Sequence, residues 1–197
     1  MASAFAHIVV PAVAYVTLTN KVISLRLFVL SAILSVLPDA DVIAFSLGIP
    51  YESQWGHRGF THSLFSSMLV ALFCTLFWHK LNSQPIVVLV VCFISCASHA
   101  LLDGMTNGGL GVALYWPFDP ERHFLPYRPI EVSPIGIKAF FSEDGLTVIR
   151  SELVWVFLPA ILFAAVALCA RTRCEHIPTN CHPKAPGRRS AARRPGA

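Results

Sequence analysis

The sequence predicts an all-α polytopic membrane protein, a helical bundle with four to five transmembrane helices. Three observations predict it. Of 197 residues, 55% are hydrophobic, and mean hydropathy is +0.61. Only 13% are charged, against about 25% in soluble domains. The charges are also unevenly placed: long apolar runs carry none, while residues 171–197 hold seven Lys and Arg against one acid, Glu175.

Crossing a bilayer takes about 20 mainly apolar residues, with a range of about 17–25. Five segments qualify as candidates. Residues 4–19 come first, interrupted by His7. No basic region precedes this stretch, so it reads as a retained helix and not as a signal peptide. Residues 27–37 follow and extend back to 22 across Arg26. Residues 63–78 are short and gain length from Thr61 and His62. Residues 85–102 and 153–170 are the clearest, and the last run is uncharged. Residues 103–150 form an extended outer connection rich in proline and aromatics, with Trp116, Phe118 and Tyr127 suited to headgroup level. Residues 171–197 read as a basic, disordered tail. Beside an apolar helix its natural partner is membrane lipid, and no nucleic acid is expected. The chain thus divides into a membrane domain, 1–170, and a tail, 171–197.

Cys74, Cys92, Cys96 and Cys169 lie in apolar runs, where cysteine acts as a small hydrophobe. Cys174 and Cys181 lie near His176 and His182, but their spacing matches no usual zinc pattern. If all five segments cross, one face collects Lys21, Arg26, Lys80 and the tail, ten basic residues in all. The other collects Arg58, Arg122, Arg128, Lys138 and Arg150. The positive-inside rule then puts the C-terminus in the cytoplasm and the connections 38–62 and 103–150 on the outer, periplasmic side.

An ionisable residue in or beside a membrane span is costly and marks function by default. Here such residues are mostly His and Asp, and the alternation of segments sends them to one face. His7 opens the first segment. Asp39 and Asp41 close the second in LPDAD. His57 and His62 precede the third in GHRGFTHS. His99 and Asp103 close the fourth in SHALLD. His99 and Asp103 are four residues apart, so they share one helix face and suit a single ion. Asp39 and Asp41 follow a helix-stopping proline, so one could bind while the other holds a ligand imidazole. Gly59 permits a tight turn between His57 and His62. Imidazole with carboxylate suits zinc, and manganese or iron less specifically. One or two ions are expected. His123, in the outer loop, is a lesser candidate. Taken singly, each motif has a plainer reading as a helix stop, a helix cap or a buried hydrogen-bonded pair.

GHRGFTHSL, the upstream LPDAD and the downstream SHALLDGMTNGG…WPF resemble the YdjM-like family of bacterial inner-membrane metal-dependent hydrolases. The likeness covers roughly residues 1–130. The motif order is also distantly similar to zinc-dependent phospholipase C and nuclease P1. That resemblance implies His99 and Asp103 as ligands from one helix, an aspartate of LPDAD as ligand or base, His57 or His62 as a further ligand, and His7 near the N-terminus. Two departures stand out: that group uses an N-terminal tryptophan, where this chain has MAS, and a later His-x-x-x-Glu helix, absent here.

The expected function is metal-dependent hydrolysis of a phosphoester, with a phospholipid as the natural substrate. Asp39 or Asp41 would serve as base and Arg58 would stabilise phosphoryl charge. Two other classes fit less well. A closed site would mark a non-enzymatic protein with a structural metal. A metal carrier or transporter would place polar groups deeper within its spans.

Overall fold

The computed structural model describes residues 1–19, 22–134 and 140–175. The described residues are helical and contain no strand; their only β pairings are two isolated bridges, Thr106 to Ile130 and Val112 to His123. Helix α1 is Ala4–Thr17, α2 is Leu25–Leu34, α3 is Ile43–Ser46, α4 is Leu64–Thr75 and α5 is Pro85–Gly104. Helix α6 is Glu143–Glu152, and α7 is Leu158–Glu175. A π turn, Leu153–Phe157, joins these last two.

Local chemistry explains where the helices start. Ser3, Ser24 and Ser63 each occupy an N-cap, with the side-chain oxygen accepting from a backbone N–H of the first turn, which satisfies a donor the helix cannot. Pro85 sits in the first turn of α5, where its missing N–H costs nothing. Helix α2 does not simply stop at its proline. It continues through a 3-10 turn, Leu37–Val42, into α3, so the apolar stretch Leu25–Ser46 is 22 residues long. With Pro85–Gly104 and Glu143–Arg173 it is one of three helices among the described residues that are long and apolar enough to cross a membrane. Ala4–Thr17 and Leu64–Thr75 are apolar but shorter.

Helix α5 is central and packs against α1, α2 and α4. Small residues on its buried face, among them Cys92, Ser95, Cys96 and Ala97, let the neighbours approach closely. Leu27, Leu34, Ala71 and Cys74 meet them to form the main apolar cluster. The outward faces remain apolar: Phe73, Leu76, Ile161, Leu162 and Val166 are all more than half exposed. Surface of that extent suits lipid and not water.

The extended outer connection predicted over 103–150 needs correction. Its end is helical, because α6 begins at Glu143, ten residues before the apolar run. Acids Glu143 and Asp144 in the first turn and Arg150 in the last favour that helix through its dipole. Of the three aromatics expected at the membrane surface, Phe118 and Tyr127 are well exposed and Trp116 is partly so. The tail does not start at 171, since α7 runs to Glu175. The basic segment beyond it, with Cys181, His176 and His182, lies outside the described residues.

Candidate metal centre

Four helix ends converge on one point. His7 comes from the first turns of α1, Asp39 from the 3-10 turn after α2, His62 from a 3-10 turn, Phe60–His62, just before α4, and His99 with Asp103 from the end of α5. All are buried, with Asp39 the most exposed at 8%. His62 Nε2 lies 3.0 Å from His99 Nε2, 3.7 Å from Asp39 Oδ1 and 3.6 Å from Asp103 Oδ2. His99 Nε2 lies 3.3 Å from Asp39 Oδ1. Ligands held about 2.0–2.2 Å from a tetrahedral zinc ion stand about 3.4 Å apart. One ligand atom from each of Asp39, His62, His99 and Asp103 can serve a single ion.

His7 adds a fifth residue and a third imidazole. Its ring stacks on His99 at 3.8 Å, and its Nε2 lies 3.6 Å from Asp103 Oδ1 and 3.9 Å from Asp39 Oδ2. Among the described residues neither His7 nitrogen has a hydrogen-bond partner, and neither does Asp39 Oδ1. Each such buried orphan costs about 1–3 kcal/mol. A cation between these two side chains would give a partner to one His7 nitrogen and to Asp39 Oδ1.

The surrounding bonds set the imidazole orientations. His99 Nδ1 is 2.8 Å from the Ser35 carbonyl, an acceptor only, so Nδ1 carries a proton and Nε2 faces the cluster with a lone pair. His62 Nδ1 is 3.2 Å from Asp41 Oδ2. Burial alone would hold the His62 imidazolium down, but the carboxylates of Asp103, Asp39 and Asp41 gathered around it push its pKa up to about 10. Three carboxylates, Asp39, Asp41 and Asp103, face one guanidinium, Arg58. The N-terminal amine also acts on Asp103 and Asp39; once a bound ion has displaced the His62 proton the carboxylates remain in excess, which suits a divalent cation.

The two aspartates of LPDAD divide their roles. Asp39 joins the ligand ring. Asp41 stands behind it: its Oδ1 meets His57 Nδ1 at 2.6 Å, and its Oδ2 accepts from Thr61 Oγ1 at 2.6 Å and from the Arg58 N–H at 3.1 Å. His57 thus pairs with Asp41 and is not one of the five residues of the ring. Asp41, His57 and His62 can form a second group around one ion. The turn carrying them is tightly built. Arg122 donates to the carbonyls of His57, Tyr51 and Ser53. A side chain at Gly59 would put its Cβ 2.2 Å from the Gln54 carbonyl oxygen.

Arg58 corrects an expectation. It adopts a positive φ of 63° and turns its side chain inward, with no exposed surface. Its Nε donates to Asp103 Oδ2 at 3.1 Å, one terminal nitrogen to Thr106 Oγ1 and the other to the Gly108 carbonyl. It braces Asp103 and does not face open space. His123 stays apart, 2.8 Å from Asp119 in a partly exposed group with Glu121. Sequence reasoning missed Ser3 and Glu152. Glu152 is 1% exposed and accepts from both the backbone and the hydroxyl of Ser3. A lone acid abutting an apolar run, at Glu152, was the available signal.

A largely apolar cleft of about 150 Å³ is lined by residues next in sequence to the cluster. Pro38 and Thr61, the chain neighbours of Asp39 and His62, form part of its wall, with Leu37, Leu69 and Val70.

The family model described as YdjM inner membrane protein matches residues 1–174. The chain is 40% identical over 169 residues to Inner membrane protein YbcI of Escherichia coli (strain K12), covering 82% of this chain and 94% of that protein. No solved structure matches significantly. The likeness to zinc-dependent phospholipase C and nuclease P1 accordingly rests on motif order alone.

Proposed function

The chain belongs to the YdjM inner membrane protein family, and from that premise we propose that it is a membrane-bound metal-dependent hydrolase of phosphoesters, with a phospholipid as substrate. The observation that carries the proposal is the set of orphaned buried atoms, His7 Nδ1 and Nε2 and Asp39 Oδ1, within a ring of imidazole and carboxylate. The residues present fit a divalent ion, with zinc favoured by the donor set. His7, Asp39, His62, His99 and Asp103 would hold it. A second ion would draw on Asp41 and His57.

Such an ion supplies Lewis acidity, which polarises a phosphoryl oxygen and acidifies water at neutral pH. The chain supplies the rest. Asp39 Oδ1 would face the ion, and its Oδ2, on the His7 side, would accept a proton from the attacking water and return it to the leaving alcohol oxygen as the P–O bond breaks. Asp41 holds the His62 imidazole in orientation, and Arg58 holds Asp103. The cleft beside Pro38 and Thr61 receives an acyl chain while the phosphoester reaches the ligands. Basic residues concentrated on the other face support a periplasmic site and a cytoplasmic C-terminus.

The test is release of water-soluble phosphate from phospholipid in mixed micelles, with zinc added. Wild type is expected to release it and Asp39→Asn to lose at least a hundredfold in rate, the scale of one catalytic proton-transfer group. Equal rates in the two proteins would defeat the proposal. The near-complete burial of the ligands favours a second reading, a closed structural metal in a non-enzymatic protein. Stoichiometric metal without hydrolysis of any phosphoester would select it.

A further inference from the structure

We propose that Glu152 is a positioning residue for the metal centre, acting from the far end of the chain through Ser3. The inference rests on the metal-site reading above and adds a residue that none of the ligand groups contains.

Glu152 ends α6, at the point where the outer connection enters the last apolar run. Its two carboxylate oxygens converge on one residue, 149 positions away. Oε1 accepts the Ser3 N–H at 2.5 Å, and Oε2 accepts the Ser3 hydroxyl at 2.6 Å. Ser3 caps α1. Its carbonyl accepts from the backbone of Ala6 at 3.0 Å and of His7 at 3.3 Å, and its Oγ accepts from Ala6. The carboxylate therefore fixes the cap that sets the axial position of His7. One residue earlier, the Ala2 N–H donates to Asp103 Oδ1 at 2.7 Å. The segment pinned by Glu152 touches the ligand set twice, at His7 and at Asp103.

The arrangement is costly unless geometry demands it. Burying a carboxylate is unfavourable unless donors satisfy it, and the donors here are the N–H and the hydroxyl of Ser3. Two short bonds to one serine make a rigid clamp. Residues that orient metal ligands typically change metal affinity by about 10–100-fold when removed.

The experiment is titration of cobalt(II) into the purified full-length protein in detergent, reading both affinity and the visible ligand-field spectrum. Glu152→Ala is expected to weaken binding at least tenfold and to shift the spectrum. Glu152→Gln should restore both, because its amide oxygen accepts the Ser3 N–H and its NH2 donates to the Ser3 hydroxyl. Ser3→Ala removes one of the two bonds and should give a smaller loss with a spectral shift in the same direction. It serves as the decisive variant if Glu152→Ala does not fold. Unchanged affinity and spectrum in Ser3→Ala and Glu152→Ala overturn the proposal, as does a Gln variant no better than Ala. Failure of the wild type to bind cobalt would instead overturn the metal-site reading itself.

Discussion

Substitution of Asp41 probes how the centre is built, because Asp41 touches the ligands without sitting among them. Its carboxylate receives His57 Nδ1, Thr61 Oγ1 and the Arg58 N–H and lies 3.2 Å from His62 Nδ1. In Asp41→Asn the amide must put NH2 where one oxygen stood. The cheaper orientation keeps oxygen toward His62, Thr61 and Arg58 and turns NH2 to His57, whose ring can switch tautomer. His62 then loses the negative charge behind it but keeps its direction. The expected loss of zinc affinity is about tenfold, or about 1.4 kcal/mol. Asp41→Ala releases His62 and the turn together, and the expected loss is about a hundredfold, or about 2.7 kcal/mol. Competition against a chromophoric chelator in detergent measures both. An Asp41→Ala affinity within twofold of wild type would refute the division of labour between Asp39 and Asp41.

Other substitutions test the supports. Asp103→Ala strands the buried Arg58 guanidinium, whose Nε bonds Asp103, and should cost about 3–5 kcal/mol; a thermal melt followed by tryptophan fluorescence that does not move would contradict this. Gly59→Ala drives a Cβ into the Gln54 carbonyl and should lower melting temperature and metal content together, which paired melts and metal analysis would show. Zinc affinity should also depend on pH. His62 keeps its proton up to about pH 10 in the metal-free site, and zinc must displace it, so affinity should rise about tenfold per pH unit on the acidic side of that value. Calorimetry in buffers of different ionisation enthalpy would report the released proton, and a heat independent of buffer would argue against it.

That His7, Asp39, His62, His99 and Asp103 lie at segment ends was legible because hydropathy marks those ends, and the fold brings the ends together. The different jobs of Asp39 and Asp41 were not: they are two residues apart, and only the 3-10 turn decides which points at the ring. Arg58 read as a group stabilising phosphoryl charge; its left-handed backbone, which turns its side chain onto Asp103, leaves no mark in composition. The helix at Glu143–Glu152 was hidden by its polarity, since it continues an apolar helix without being apolar itself. The Ser3–Glu152 clamp spans almost the whole chain, and no periodicity connects residues so far apart.

The central claim, that these buried imidazoles and carboxylates hold a divalent cation, is tested most directly by elemental analysis of the purified protein beside a His99→Ala, Asp103→Ala double variant. The wild type should carry at least one equivalent of zinc or manganese per chain and the variant only background. Equal trace metal in both would contradict the account.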